Sequence, residues 1–230
     1  MNSHRILSWT PAAIVFDCDG TLMDTERHWQ DARELAMDDY GVRPGAEFAE
    51  RSKGLHYTEC GRLMAAEAGR PELGERLTTA LLGHFLDLVA RHPQTMPGAR
   101  ELVENAAKFA PLAVASNCPR EVVESCLGTA GLRDHFDHIV VPDESNRPKP
   151  HPDVYLTAAR YCHAAPAETL AVEDSECGVS AAVAAGMRVM GVGPWPGEEV
   201  AARVDLWVGS LDEPHVFEWA GERVARRLAV

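Results

Sequence analysis

The sequence predicts an α/β protein, with a mainly parallel sheet interleaved by helices and an α-helical domain inserted after the first strand. Three observations predict it. Short apolar, β-rich runs recur along the chain, helix-period segments separate most of them, and one long interval near the N-terminus has helical periodicity alone. Strands alternating with helices imply βαβ units, and right-handed crossovers then place the loops that follow the strands on one edge of the sheet.

The strand runs, in order, are Ala12–Phe16, Leu112–Ala115, His138–Val141, Leu170–Val172, Arg188–Val192 and Leu206–Val208. Between them, Ala99, Leu102, Val103 and Ala106 repeat at helical spacing, as do Val179, Ala182, Val183 and Gly186. From Asp24 to about Pro93 no strand pattern occurs. There, Trp29, Ala32, Ala36 and Tyr40 form one helical stripe, and Leu77, Leu81, Phe85 and Leu88 form another. Gly41, Gly54 and Gly69, with Pro44 and Pro71, divide the interval into three or four helices, and Pro93 and Pro97-Gly98 mark its end. The expected division is a core of residues 10–23 and 96–230 and a helical insert of residues 24–95, hanging over the strand ends as a lid.

Composition narrows the function. The 230 residues carry a formal charge of −13, which disfavours nucleic acid and anionic membrane as partners. No apolar run is long enough to span a bilayer, and Met1 to Thr10 lacks a signal-peptide core, so a cytoplasmic location is expected. The six cysteines show no CxxC and no zinc spacing, as for reduced, mostly buried thiols. Cys18, Cys118 and Cys177 lie near the segments that carry the chemistry, which leaves redox sensitivity open.

Those segments all follow strands. Asp17-Cys18-Asp19-Gly20-Thr21 sets two carboxylates, one residue apart, at the end of the first run. Such neighbours repel unless a positive charge joins them; a hard cation with oxygen ligands answers this, with Mg²⁺ the commonest candidate. The unit suggests metal-assisted attack on a phosphate. Ser116-Asn117 follows the second run, Arg147-Pro148-Lys149-Pro150 precedes a helix expected near His151, and Glu173-Asp174-Ser175 follows the run ending at Val172. Singly, each has an ordinary reading as a cap or turn. Together, on one edge of one sheet, they point to a site.

These four segments resemble the four motifs of the haloacid dehalogenase superfamily. The similarity is to its helical-cap subfamily I, the branch of β-phosphoglucomutase and phosphoglycolate phosphatase. It runs from about Ala12 to Val208, and rests above all on Phe16-Asp17-Cys18-Asp19-Gly20-Thr21-Leu22 with Asp24-Thr25-Glu26, and on Glu173-Asp174-Ser175 with Gly178-Val179 and Ala184-Ala185-Gly186-Met187. The resemblance implies a Rossmann-like core. It implies Asp17 as the nucleophile that forms an aspartyl-phosphate, and Asp19 as the acid/base. It further implies Mg²⁺ held by Asp17, the backbone carbonyl of Asp19 and Asp174, with Glu173 assisting. Ser116 and Lys149 would hold the phosphoryl group, and Asn117 would orient that loop or the substrate.

The expected activity is a Mg²⁺-dependent phosphomonoesterase acting on a small phosphorylated metabolite, such as a sugar phosphate, in a protein taken to be monomeric. Asp19 and Asp174 argue against a haloalkanoate dehalogenase. Lys53-Gly54 resembles a β-phosphoglucomutase element, but His56-Tyr57 stands where that family has Ser-Arg, and Trp29 stands where it has a histidine. A phosphosugar mutase therefore remains the alternative, with a non-catalytic metabolite-binding or regulatory protein as the reading from another class. Glu26, Trp29, Lys53 and His56 are the insert's candidate substrate residues.

Overall fold

The structure is a computed structural model that describes residues 6–43, 45, 48–52 and 57–228, without the side chains of residues 49 and 50. The chain divides into two compact units, Met1–Asp24 with Gln94–Val230, and Thr25–Pro93.

The first unit is built on a six-stranded sheet, β1 (Ala13–Phe16), β2 (Leu112–Ala115), β3 (His138–Val140), β4 (Thr169–Glu173), β5 (Arg188–Val192) and β6 (Leu206–Val208). Every pairing is parallel, in the order β3-β2-β1-β4-β5-β6. The helices of this unit are α5 (Ala99–Ala106), α6 (Arg120–Thr129), α7 (Asp153–Tyr161), α8 (Glu176–Ala184), α9 (Glu198–Ala201) and α10 (Pro214–Leu228). This is the Rossmann-like α/β architecture expected from the alternating runs.

Side-chain alternation decides the layers. Ala13, Val15, Ala113, Ala115, Ala171 and Val189 face one side, packed with Val154, Tyr155, Ala158 and Ala159 of α7 and Val179, Ala181 and Ala182 of α8. The many alanines let these helices approach the sheet closely. Ile14, Phe16, Leu112, Val114, Leu170 and Val172 alternate to the other side and are equally buried. Coverage of both faces is what a parallel sheet requires, and it explains why the strands read as continuous apolar runs rather than alternating ones.

Two details differ from the sequence reading. β4 runs on to Glu173, which pairs in register with Gly191. A carboxylate ends the apolar run but not the ladder, because hydrogen bonds to its side chain offset its burial. In α8, Val183 is 38% exposed, and Gly178, Val179, Ala181 and Ala182 form the buried face instead. The helix is short enough for Gly186, at φ +79°, to lie beyond its end.

The second unit consists of α1 (Glu26–Asp39), α2 (Phe48–Ser52), α3 (Tyr57–Glu67) and α4 (Gly74–Arg91), with a 3₁₀ turn at Pro71–Leu73. Leu77, Leu81 and Phe85 of α4 are buried as expected, and the stripe continues through Val89 rather than Leu88. Ala32 and Ala36 of α1 are buried. The chain leaves and re-enters the sheet unit through paired segments, since Asp24 N–H donates to the Gln94 carbonyl (3.0 Å) and Met96 N–H donates to the Leu22 carbonyl (2.9 Å). Among the described residues no helix is long and apolar enough to cross a membrane.

Candidate active site

The strand order reverses beside β1, so the carboxyl ends of β1 and β4 flank a crevice of the kind in which open α/β sheets bind ligands. Asp17 follows β1 directly, and its N–H continues the ladder to the Val172 carbonyl of β4 (2.9 Å). The carboxylates of Asp17, Glu173 and Asp174 thereby converge, each with an oxygen within 4.8 Å of the others.

Lys149 joins them. Its Nζ donates to Asp17 Oδ1 (2.5 Å) and to Glu173 Oε1 (2.6 Å), and all three side chains are buried. Burial acts to lower the Lys149 pKa, but the charges of Asp17 and Glu173 hold it well above the ordinary lysine value. Asp17 is pushed up by burial, opposed by Lys149 and reinforced by Glu173, Asp174 and Asp19. Burial, then the charge of Glu173, raises Asp174 to about 7. One lysine cannot balance four neighbouring carboxylates, and further positive charge is what the set lacks. Oxygen donors of this kind suit a hard divalent cation.

The two acids of the β4 end differ sharply. Glu173 is fully buried, and both its oxygens are engaged. Oε1 accepts from Lys149 and from the Tyr155 hydroxyl (2.8 Å), while Oε2 accepts from the Asp174 N–H (3.1 Å), the Ser175 N–H (3.2 Å) and the Ser175 hydroxyl (3.1 Å). Direct ligation of a metal by Glu173 would cost one of these bonds. Among the described residues, the side-chain bond to Asp174 is a long one, from the Thr21 hydroxyl (3.4 Å). Gly178 makes the Glu173 pocket possible, because a Cβ there would overlap the Glu173 carboxylate. Gly20 has φ +84°, and a Cβ on it would strike the Asp174 carboxylate. The glycine of the first motif therefore serves both the turn and the approach of the β4 loop.

Ser116 and Asn117 leave β2, beside β1. The Ser116 N–H donates to the Val140 carbonyl (3.1 Å), and its buried hydroxyl accepts from the Cys118 N–H (3.0 Å). Asn117 grips the Lys149 backbone in both directions: Oδ1 accepts from the Lys149 N–H (2.8 Å) and Nδ2 donates to its carbonyl (3.2 Å). Asn117 is thus spent on placing the lysine. Asp19 lies in a tight loop, in which the Leu22 and Met23 N–H groups both donate to the Cys18 carbonyl (2.9 Å each). The Cys118 thiol donates to Asp19 Oδ2 at 2.6 Å, a close approach for a sulfur donor.

All six cysteines are free. Burial pushes the Cys18 and Cys118 thiols well above the usual range, with the charge of Asp19 adding to it, and burial also raises Cys177. Thiols held protonated in this way react slowly with oxidants, which applies to the buried Cys18 and half-buried Cys118, whereas Cys177 is exposed.

The candidate residues of the insert belong to the helical unit. Glu26 is exposed and accepts from Arg33 (3.4 Å). Trp29 stacks on Phe85, with centroids 3.7 Å apart and planes at 15°, and faces Tyr57 at 6.5 Å. Lys53 and His56 lie outside the described residues. The sequence reading missed Tyr155 and Thr21. Tyr155 carried one signal, a hydroxyl on the buried stripe Tyr155, Ala158, Ala159 and Cys162 directly after the Lys149 segment.

The family model of the haloacid dehalogenase-like hydrolases matches residues 14–192. The chain belongs to that family. Among curated relatives, it is 34% identical over 185 residues to a probable pseudouridine-5'-phosphatase of Drosophila melanogaster, covering 76% of this chain and 79% of the relative. It is 28% identical over 185 residues to the fructose-1-phosphate phosphatase YqaB of Escherichia coli, covering 79% of this chain and 96% of the relative. Among solved structures, CbbY from Rhodobacter sphaeroides, in complex with phosphate, superposes with a TM-score of 0.75 at 27% identity, covering 91% of this chain and all of that one. With the family model and these relatives named as phosphatases together, the chain is placed among the haloacid dehalogenase-like phosphatases.

Proposed function

We propose that the protein is a Mg²⁺-dependent phosphomonoesterase that cleaves a small phosphorylated metabolite, a sugar phosphate or a close analogue, through an aspartyl-phosphate on Asp17. The observation that carries this reading is the buried Asp17 carboxylate at the end of β1, paired to Lys149 through Oδ1, while Oδ2 takes no hydrogen bond among the described residues. An anchored carboxylate with a free oxygen suits in-line attack on phosphorus.

Attack by Asp17 would break the ester P–O bond as Asp19 delivers a proton to the departing oxygen. Asp19 would then take a proton from water, which attacks the aspartyl-phosphate, restores Asp17 and releases phosphate. Lys149 and Ser116 would hold the phosphoryl oxygens as charge builds on them. Mg²⁺, held by the carboxylates of Asp17 and Asp174 and the backbone carbonyl of Asp19, would neutralise the nucleophile against the incoming phosphate. Glu173, with both oxygens engaged, would position Lys149 rather than bind the metal directly. The relatives named for pseudouridine-5'-phosphate and fructose-1-phosphate support a sugar-bearing phosphate as the substrate class.

The test is phosphate release over a panel of sugar and nucleoside phosphates with Mg²⁺. Turnover should vanish in excess chelator, and Asp17→Asn should lose at least about 10⁴-fold in rate. Interconversion of two phosphosugars without free phosphate would overturn the reading in favour of a mutase. Wild-type turnover by Asp17→Asn would remove Asp17 as the nucleophile.

A further inference from the structure

We propose that Cys118 is a positioning residue for Asp19, its thiol holding the Asp19 carboxylate in the orientation from which a proton is delivered to the leaving oxygen. The inference rests on the role proposed above for Asp19. It adds a residue that touches the proposed acid without being given a part in the proton transfer itself.

The argument begins with the two loops. β1 and β2 are neighbours, so the loops that follow them run side by side. The Asp19 loop is fixed along its backbone by the bonds to the Cys18 carbonyl and by the Gly20 N–H, which donates to the Met23 carbonyl (2.8 Å). Those bonds place the Asp19 Cα but leave its side-chain torsions to be set by neighbours. Cys118 supplies such a neighbour from the other loop, through Sγ–H to Oδ2. A carboxylate has only acceptors to offer and a thiol one proton, so the thiol is the donor.

Cys118 is in turn well held. Its N–H donates to the Ser116 hydroxyl, and Pro119 follows it as the cap of α6. One short segment thus carries Ser116, expected to hold the phosphoryl group, and Cys118, which holds the acid. The segment fixes the distance between the group that binds phosphorus and the group that protonates its leaving oxygen. A 1 Å error in that distance is enough to slow a proton transfer strongly.

A proton donor matters in proportion to the basicity of the leaving group, and this separates positioning from mere stability. The experiment measures kcat/KM for p-nitrophenyl phosphate, whose leaving group needs little help, and for phenyl phosphate, whose leaving group needs more. Wild type is compared with Cys118→Ala, Cys118→Val, Cys118→Ser and Asp19→Ala. Loss of one hydrogen bond to a charged group predicts that Cys118→Ala and Cys118→Val lose about fivefold to tenfold more on phenyl phosphate than on p-nitrophenyl phosphate. Cys118→Ser keeps a donor and should restore most of the lost rate on phenyl phosphate, so that the contrast largely disappears. Asp19→Ala should show the same contrast, larger.

Equal losses on both substrates, or none, in the Cys118 variants while Asp19→Ala keeps its contrast would overturn the positioning role and leave Asp19 as the acid. No contrast in Asp19→Ala would overturn both. The valine variant fills the thiol's volume without a donor, so it reports on the bond if the alanine variant does not fold.

Discussion

At the carboxyl ends of β1 and β4, Asp17, Lys149 and Glu173 are buried together as charges, linked by bonds of 2.5 and 2.6 Å. In the helical unit the interior is closed by Met64, Leu77, Leu81 and Phe85, while pairs such as Asp38–Arg43 stand in solvent, with side chains 66% and 73% exposed. Burying charges costs several kcal/mol per ion before pairing repays it. An apolar interior carries no such cost, and in the helical unit the exceptions among the described residues are His28 Nδ1 and Glu67 Oε2, buried without a hydrogen-bond partner. The sheet unit thus accepts an electrostatic expense at one place, the place where the strand order reverses, and chemistry is the return that explains it. The helical unit is held as an ordinary amphipathic bundle.

The sharpest way to break this contrast is to remove the buried cation. Lys149→Met should lower kcat for p-nitrophenyl phosphate by about 10² to 10³-fold, as for loss of a preorganised charge at a transferring phosphoryl group. It leaves Asp17 and Glu173 unpaired, so stability should fall as well, read from the urea midpoint. A folded Lys149→Met protein with unchanged kcat would show the buried charge to be structural only.

The counterpart in the helical unit is Leu81→Ala. Removal of a fully buried leucine predicts a loss of about 2–5 kcal/mol in unfolding free energy. In the fraction that remains folded, phosphate release from p-nitrophenyl phosphate should stay within about threefold of wild type, less than one tenfold step of 1.4 kcal/mol. A folded variant as impaired in rate as Lys149→Met would place chemistry in the helical unit too.

The smallest effect concerns pH. Asp174 stands at about 7 in the fold, raised by burial and by Glu173, against roughly 4 when unfolded. Between those values the folded protein holds a proton that the unfolded chain has lost, so stability falls as pH rises from about 4 to about 7. In chelator, the melting temperature should drop by a few degrees between pH 5 and pH 8, a loss on the order of 2 kcal/mol. Asp174→Asn should flatten the slope, and an equally steep slope in that variant would assign it to other groups.

The strands were legible almost to the residue because burial on both faces makes each a continuous apolar run, and Leu112–Ala115 and Arg188–Val192 appear in the structure as read. Glu173 was not legible as a strand residue. Only the fold shows that Lys149, Tyr155 and Ser175 meet it, from 24, 18 and 2 positions away. The same holds for Lys149 and Asp17, separated by 132 positions in the chain. Residue types and spacing announce that charges gather at strand ends; which charge pairs with which is set by loop geometry that no local pattern encodes. Trp29 illustrates the limit in the helical unit. A tryptophan on a helical stripe could serve a ligand or the interior, and its partners Phe85 and Tyr57 come from helices remote in sequence.

The most direct measurement is rapid acid quench of the protein during turnover of p-nitrophenyl phosphate, followed by peptide mapping by mass spectrometry. A phosphoryl group on the peptide that contains Asp17, absent from Asp17→Asn, is the predicted result. A phosphoryl group carried by a different residue of the active protein would contradict it.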